Sequence, residues 1–228
     1  MEMHTKVSCI IPVYNEGPRV GAVIDTARNH PLIEEIIVIN DGSTDNSKAI
    51  LEKHPGIHFI SYDKNHGKTF AVMTGIKQAK RNLLMLLDSD LTGLTPENLT
   101  DLITPVIHGR ADMTISLRKN SLLVYKLMGL DYVSGERVFD RSIIGDLEAL
   151  AHMPGFGLET YLNQQMIEKK LRLKVIKWPQ VISLRKAKKA GWWEGTKADI
   201  GMVFQILSMV SVSGALKQMW DMRKLRVH

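Results

Sequence analysis

The sequence is poor in cysteine and has no internal repeat or low-complexity linker. Of its 228 residues only Cys9 is a cysteine, which excludes a disulfide framework and a cysteine-rich zinc site. Its eight histidines are scattered without the spacing of metal ligands. Residues 1–6 lead directly into an apolar strand pattern with no cleavable signal peptide. We therefore expect a protein of the reducing cytoplasm.

The composition is that of an ordinary globular protein. Hydrophobic residues make up 44% and charged residues 24%, which excludes a disordered or fibrous chain. The length suits one large α/β domain or two small ones. We predict one domain over residues 1–190 and a helical extension over residues 191–228.

Positive charge is unevenly distributed along the chain. The formal net charge is +6, and residues 169–197 hold ten Lys and Arg residues against a single acid, Glu194. Such a basic block suits a phosphorylated ligand, an anionic membrane surface or a nucleic acid. A solvated face that only aids solubility is the alternative.

The first half of the chain alternates between strands and helices. We predict strands over residues 7–13, 35–39, 57–62 and 83–87, with helices over 20–27, from Ser43 or Thr44 to about 53, and over 68–80. This order implies a mostly parallel sheet, whose ligands bind beyond the carboxyl ends of the strands. A polar cluster follows each of the four strands, so the four clusters are expected at one edge.

The second half is less regular. We predict helices over residues 96–103, 122–130, 157–169 and 198–220, and strands over 113–117 and 171–178. Thr95 is expected to cap the first of these helices, with Pro96 at its first position. Residues 134–139 are predicted to form a turn.

Asp88-Ser89-Asp90 is the most informative motif. Two carboxylates at one strand end repel each other unless a cation or a hydrogen-bond donor compensates them. Mg²⁺ or Mn²⁺ would do so and leave coordination positions for phosphate oxygens. The alternative is a helix-capping aspartate beside a solvent-facing one.

Four segments taken together resemble the family 2 glycosyltransferases, inverting enzymes with the GT-A nucleotide-diphospho-sugar fold. They occur in the expected order at successive strand ends: residues 7–16 (VSCIIPVYNE), 38–45 (VINDGSTD), 65–68 (NHGK) and 88–90 (DSD). The resemblance implies an α/β fold with a donor half over residues 1–110 and an acceptor half over 111–190. It also implies a UDP- or GDP-sugar donor.

The resemblance assigns roles in the donor half position by position. Pro12, Tyr14 and Glu16 would line the base and ribose pocket, and Asp41 would accept a hydrogen bond from the nucleobase. Lys68 would lie near the nucleotide.

The metal follows from the same resemblance. Asp88 and Asp90 would hold the Mg²⁺ or Mn²⁺ that bridges the diphosphate, with Asp90 as the direct ligand. Asn40 stands where many relatives have a second aspartate, which leaves the base open between uracil and guanine. Thr92 stands where mannose synthases commonly have a glutamine that helps the metal.

In the acceptor half, Arg118 after a predicted strand and residues 134–139 (SGERVF) are similar to the acceptor region of polyprenyl-phosphate glycosyltransferases of the dolichol-phosphate mannose synthase type. In that subgroup two arginines grip the lipid phosphate, and Arg118 and Arg137 fall on their positions, with Arg185 as a third candidate. The planar guanidinium group suits phosphate because it donates two parallel hydrogen bonds. A surface ion pair, for instance with Glu136 or Asp140, is the alternative for each arginine.

Glu159 distinguishes between classes of acceptor. Many relatives place a catalytic base at its position, and a hydroxyl acceptor needs such a base, whereas an ionised phosphate does not. A carboxylate in the first turn of a helix, favoured by the helix dipole, is the alternative.

Residues 200–216 carry no charged side chain but are at the short limit for crossing a bilayer. With the basic residues and tryptophans that precede them, they fit a helix lying at a membrane surface. Packing against the catalytic domain or a second subunit is the alternative. The predicted enzyme is peripheral at the cytoplasmic face of the membrane, and a homo-oligomer is compatible with the sequence.

A rival class, a nucleic-acid-binding α/β protein, would use the basic block; we expect no nucleic-acid partner.

Overall fold

The computed structural model describes residues 6–145, 150, 157–183 and 212–227. The first half contains β1 (Val7–Val13), α1 (Gly17–Arg28), β2 (Ile33–Asp41), α2 (Ser47–Glu52), β3 (His58–Tyr62), α3 (Lys68–Gln78), β4 (Leu83–Leu86), β5 (Leu91–Thr92) and α4 (Pro96–Ile107). The second half contains β6 (Met113–Arg118), α5 (Leu123–Met128), β7 (Arg137–Asp140), α6 (Gly157–Glu168), β8 (Leu173–Trp178), β9 (Ile182–Ser183) and α7 (Val212–Lys224). A short 3₁₀ turn over Arg141–Ile143 follows β7.

Seven of these strands form one mixed sheet in the order β3-β2-β1-β4-β7-β6-β8. The pairs β3–β2, β2–β1, β1–β4 and β6–β8 are parallel, whereas β7 runs antiparallel to both β4 and β6. A separate antiparallel pair joins β5 to β9. The predicted α/β architecture with a mostly parallel sheet is confirmed.

Apolar side chains cover both faces of the central strands. β1 and β4 are almost continuous runs of buried apolar residues, as expected where helices cover both faces of a sheet. Gly75 of α3 allows close packing on one face, because an added Cβ would lie 2.4 Å from a methyl carbon of Ile10 and 2.8 Å from one of Ile39. Cys9 is fully buried in the core, as its place in a strand pattern predicts.

Local sequence signals predict the start of α4 correctly, although the helix continues to Ile107, beyond the predicted residue 103. Thr95 caps α4, since its hydroxyl accepts from the backbone N–H of Asn98, and Pro96 is the first residue of that helix. The predicted cap of α2 is wrong, because α2 begins at Ser47 after Asn46. Ser43 instead accepts a hydrogen bond from the backbone of Asn15.

The predicted turn over residues 134–139 is also wrong at its carboxyl end. Arg137–Asp140 forms β7, a central strand of the sheet. Pairing with β4 and β6 on its two sides fixes this segment as a strand, although its charged ends are poor local strand signals.

The C-terminal helix is described over Val212–Lys224, and the predicted residues 198–211 lie outside the described part of the chain. Arg185 and four more of the ten basic residues in the block lie outside it as well. In the part that is described, no helix is both long enough and apolar enough to cross a membrane.

Candidate active site

The loops after β1 and β2 are held together by Asn15. This residue has the left-handed φ of 58°, in which an asparagine is tolerated better than most residues. Its side-chain oxygen accepts from the backbone N–H groups of Thr44, at 2.8 Å, and of Asp45, at 3.3 Å. The two loops that were expected to bind the nucleotide are therefore parts of one hydrogen-bonded unit.

Asp41, at the end of β2, organises the loop before α3. Its buried carboxylate accepts from the backbone N–H groups of His66, at 2.9 Å, and of Gly67, at 2.7 Å. The carbonyl oxygen of Asp41 accepts from the Asn65 side chain at 3.2 Å. Asp41 thus shapes the turn that leads into Lys68, and its contact with a nucleobase stays a prediction.

Asp88 lies directly beyond β4 and is enclosed by cations. Its carboxylate is 2.8 Å from Lys68 Nζ and 3.7 Å from the guanidinium group of Arg118. Burial alone would raise the pKa of Asp88, but the charges of Lys68 and Arg118 outweigh it and hold that pKa below its usual range. Gly135 permits this position, because a Cβ there would lie 2.4 Å from an Asp88 oxygen.

Asp90 differs from Asp88 in its surroundings. Its carboxylate accepts from the Ser183 hydroxyl at 2.6 Å, across the small sheet formed by β5 and β9. Burial, followed by the negative charge of Asp88, raises the pKa of Asp90 to about 6. The two motif aspartates are therefore close enough to repel each other, and among the described residues the ion pairs are made by Asp88.

Lys68 bridges two acids in the cleft. As the first residue of α3, it places its ammonium group 2.8 Å from Asp88 and 2.9 Å from Glu159, which lies in the first turn of α6. Burial would lower the pKa of Lys68, but the two carboxylates raise it above its ordinary value. The amino ends of α3 and α6 are thus joined across the cleft by one cation.

Arg118, at the end of β6, is surrounded by buried acidic side chains. Its guanidinium group donates to Glu136 at 2.8 Å and lies 3.6 Å from Asp131. Glu136 is fully buried and also accepts from the hydroxyls of Ser116, at 2.6 Å, and Ser134, at 3.1 Å. Burial raises the pKa of Glu136 despite the opposing charge of Arg118. The ion pair between Arg118 and Glu136 is therefore buried, unlike the surface pair considered from the sequence.

Arg137 is fully buried at the start of β7. Its guanidinium nitrogens donate to the carbonyl oxygen of Ser134 and to the side chain of Asn163, both at 2.7 Å, and to the carbonyl oxygen of Tyr132 at 3.3 Å. Arg137 holds the chain before β7 against α6, and a role toward the acceptor stays a prediction.

The structure brings five of the eleven predicted site residues to one cleft: Pro12, Lys68, Asp88, Arg137 and Glu159. Gly135 and several apolar side chains complete its lining. Glu16 pairs with Arg19, and its charge adds to the rise in the pKa of Asp90. Tyr14 is exposed at the end of β1. Arg185 lies outside the described residues, so the structure does not place it.

Three residues of the site have no assigned role from the sequence: Asn15, Gly135 and Ser183. Asn15 and Gly135 lie within motifs that the sequence shows, and an asparagine or glycine in a loop signals special backbone geometry. Ser183 has no such signal, because its partner Asp90 is distant in sequence.

Asp88 and Asp90 fit a divalent cation. Burial and the negative charge of Asp88 raise the pKa of Asp90, so a cation bound by both carboxylates would relieve their repulsion. No cluster of three or more candidate ligand residues occurs among the described residues. Mg²⁺ is commonly bound by one or two carboxylates, and its remaining coordination positions are filled by phosphate oxygens and water. Mn²⁺ also accepts oxygen ligands.

Comparison with known proteins defines the class. The family model "Glycosyl transferase family 2" matches residues 8–147, so the chain belongs to this family.

Among the curated proteins that are similar to this chain are enzymes named as undecaprenyl-phosphate sugar transferases. The undecaprenyl-phosphate 4-deoxy-4-formamido-L-arabinose transferase of Yersinia pestis (strain Pestoides F) is 39% identical over 107 residues, which are 43% of this chain and 32% of the relative. The protein of the same name from Yersinia pestis bv. Antiqua (strain Angola) is 36% identical over 124 residues, 50% of this chain and 37% of the relative. The chain thus aligns with about a third of the length of these curated relatives.

Solved structures confirm the GT-A fold. Glucosyl-3-phosphoglycerate synthase from Mycobacterium tuberculosis, in complex with Mn²⁺, UDP and glucosyl-3-phosphoglycerate, matches with a TM-score of 0.71 at 18% identity. The match covers 90% of this chain and 79% of that protein. At this identity the likeness concerns the fold alone.

Proposed function

We propose that this chain transfers a sugar from a nucleotide-diphospho-sugar to a polyprenyl phosphate, with inversion at the anomeric carbon and with Mg²⁺ or Mn²⁺. One observation carries the proposal: Asp88 and Asp90 lie beyond β4, beside the cations Lys68 and Arg118. Family membership and the resemblance of the four strand-end motifs support the same reaction.

The residues of the cleft suit the departure of a nucleoside diphosphate. When the sugar–phosphate bond breaks, negative charge grows on the diphosphate. Asp88 and Asp90 would hold the divalent cation, which supplies Lewis-acid stabilisation of that charge. Lys68 brings a second positive charge to the same place, where groups fixed before the reaction stabilise the transition state most effectively. Loop residues held by Asn15 and Asp41 would position the nucleotide.

Two observations support a polyprenyl-phosphate acceptor. The curated relatives carry undecaprenyl phosphate in their names. Arg118 lies beside Asp88 at the end of β6, within the acceptor half, at a position where the resemblance implies an arginine that binds the lipid phosphate. In this proposal the enzyme works peripherally at the cytoplasmic face of the membrane, and Arg137 and Arg185 stay candidate acceptor residues.

Thermal-shift measurements test the donor and the metal. Uridine and guanosine diphosphates are added to the full chain with and without Mn²⁺, since a ligand of the native state raises the melting temperature by mass action. We expect a shift with one nucleotide that grows when Mn²⁺ is present. Asp90→Asn should abolish the Mn²⁺-dependent part and keep the melting transition. An unchanged Mn²⁺ response in this variant contradicts the metal assignment.

A second candidate, transfer to a hydroxyl acceptor, is favoured by the position of Glu159. This carboxylate lines the same cleft as Asp88, where a hydroxyl acceptor would need a base. Glu159→Gln separates the two candidates in an assay with both acceptor types. Transfer to polyprenyl phosphate that persists supports the first proposal. Loss of all transfer with the nucleotide-induced shift intact supports the hydroxyl acceptor.

A further inference from the structure

The short helix α5 has an apolar face that no described part of the chain covers. Leu123, Val124 and Leu127 are 71%, 46% and 75% exposed. Spaced at i, i+1 and i+4, they lie on one side of the helix. They are three of the six large hydrophobic side chains that are exposed among the described residues, although α5 has only six residues.

The inward side of α5 is apolar as well. Tyr125 is buried in the core, and Leu122 and Met128 at the two ends of the helix pack against the same core. A helix at a water-facing surface normally has one polar side, and a helix that is apolar all round is typical of burial or of contact with lipid. Apart from Lys126, the outward face of α5 therefore lacks the polar character expected in water.

The charges around this face favour an anionic surface. Lys119 precedes α5 and Lys126 lies within it, and both are exposed. A lysine beside exposed leucines can bury its alkyl stem along the apolar layer and keep its ammonium group at the lipid phosphates. No acidic residue occurs from residue 119 to residue 130.

The segment that carries α5 is attached to the candidate site at both ends. It leaves β6 after Arg118 and returns at Asp131, and the Ser121 hydroxyl joins these ends by donating to Asp131 at 2.6 Å. Asn120 donates to the carbonyl oxygen of Ser183 at 2.6 Å, and Ser183 in turn donates to Asp90. The apolar face is therefore close along the chain to Arg118 and is linked through two hydrogen bonds to Asp90.

We propose that the α5 face, formed by Leu123, Val124 and Leu127, docks on the surface of an anionic bilayer. The three side chains enter the boundary between headgroups and acyl chains, and Lys119 and Lys126 contact the lipid phosphates. This inference deepens the proposed function and rests on it, because docking here would bring a membrane lipid phosphate toward the acceptor half.

Flotation with lipid vesicles tests this surface on the full chain. Vesicles of phosphatidylcholine, with and without phosphatidylglycerol, are mixed with the wild type and with the double variant Leu123→Gln/Leu127→Gln. We expect binding to anionic vesicles to weaken by about tenfold or more in the variant, since two leucines lose their apolar burial. The matched control is Ala49→Gln, an exposed position on α2 at the opposite edge of the sheet, which should bind as the wild type does.

A second variant tests the charges. Lys119→Gln/Lys126→Gln should remove most of the preference for phosphatidylglycerol over phosphatidylcholine and should reduce the salt dependence of binding. A preference that is unchanged in this variant overturns the electrostatic part of the proposal.

Transfer to polyprenyl phosphate dissolved in detergent distinguishes the two proposals. If the Leu123→Gln/Leu127→Gln variant keeps this transfer but loses vesicle binding, the α5 surface is confirmed as the docking site. If it floats like the wild type, the surface is refuted even where transfer works. If the wild type transfers nothing in detergent, the proposed function fails, and flotation still decides the surface.

A variant that changes only the oligomeric state in light scattering shows that a second copy covers this face, which also refutes the proposal.

Discussion

The two halves of the cleft use polar side chains in different ways. On the donor side, Asn15 and Asp41 accept hydrogen bonds from backbone N–H groups of neighbouring loops. On the acceptor side, Arg118 and Glu136 are buried and pair with each other. The first arrangement fixes the shape of loops, whereas the second fixes the positions of charges.

This difference predicts different consequences of substitution. A hydrogen bond from a backbone N–H group of these loops contributes modestly to stability, because donors such as Thr44 and His66 are exposed and water can replace the lost acceptor. A buried charge that loses its partner costs several kcal/mol, because its desolvation is no longer compensated. The acceptor side should therefore be the more sensitive to loss of one side chain.

Arg118→Met should have the largest effect on stability. It leaves Glu136 and Asp131 buried with no guanidinium group between them, at a cost of about 3–5 kcal/mol in the free energy of unfolding. For a chain of this size the melting temperature should fall by about 10 °C. Differential scanning calorimetry of the metal-free protein measures both quantities.

Arg172→Met is the matched control for Arg118→Met. Arg172 pairs with Asp112 at 2.7 Å, but both side chains are substantially exposed. Exposed pairs contribute about 0–1 kcal/mol, so its melting temperature should change by no more than a few degrees. Equal losses in the two variants would show that burial does not separate the two pairs.

The pH dependence of stability tests the contrast between Asp88 and Asp90. Burial and the charge of Asp88 raise the pKa of Asp90 to about 6, whereas an aspartate in the unfolded chain titrates at about 4. Between these values the folded protein binds more protons than the unfolded chain, so Asp90 makes the free energy of unfolding fall as pH rises through this window. Asp90→Asn should remove this slope and gain about 2 kcal/mol over the wild type at pH 8.

Urea denaturation in EDTA at pH 4, 5, 6 and 8 measures the Asp90 contribution as the difference between variant and wild type. Asp101→Asn, at an exposed position of α4, is the control and should follow the wild type at every pH. A constant difference between Asp90→Asn and the wild type across the window would contradict the raised pKa.

The donor side was the easier half to predict from the sequence, for a physical reason. Its strands are short apolar runs ending in asparagine, aspartate and glycine, and these local signals predicted the edge where Asp41, Lys68 and Asp88 now lie. β7 was missed because it begins with a buried arginine and is held as a strand by its neighbours.

The parts of the site that the sequence did not predict depend on contacts between residues that are distant in sequence. Ser183 and Asp90 are 93 positions apart, and Arg137 and Asn163 are 26 apart, yet each pair is hydrogen-bonded. Such pairs depend on how β5 meets β9 and how α6 packs on the sheet, and a single sequence carries no local signal for either.

Of the variants in the candidate site, Asp41→Asn should have the smallest effect, and it sharpens the donor side of the comparison. The amide keeps one oxygen for an N–H group but places an NH₂ group against the other, so one of the bonds from His66 and Gly67 is lost together with the negative charge. We expect a loss of about 1–2 kcal/mol. Because the damage is local, the backbone N–H groups of His66 and Gly67 should exchange hydrogen faster while those of β1 stay protected.

Hydrogen-exchange mass spectrometry of residues 63–68 measures this local loosening, with Asp63→Asn as the control. Asp63 is exposed in the same loop, so that variant removes the same charge at a site where no buried contact depends on it. Faster exchange confined to Asp41→Asn would show that one carboxylate holds the entrance to α3 and, through it, the position of Lys68. Equal exchange in both variants would mean that the loop keeps its shape without this carboxylate. The donor side would then owe its geometry to Asn15 and the β2–α2 loop instead.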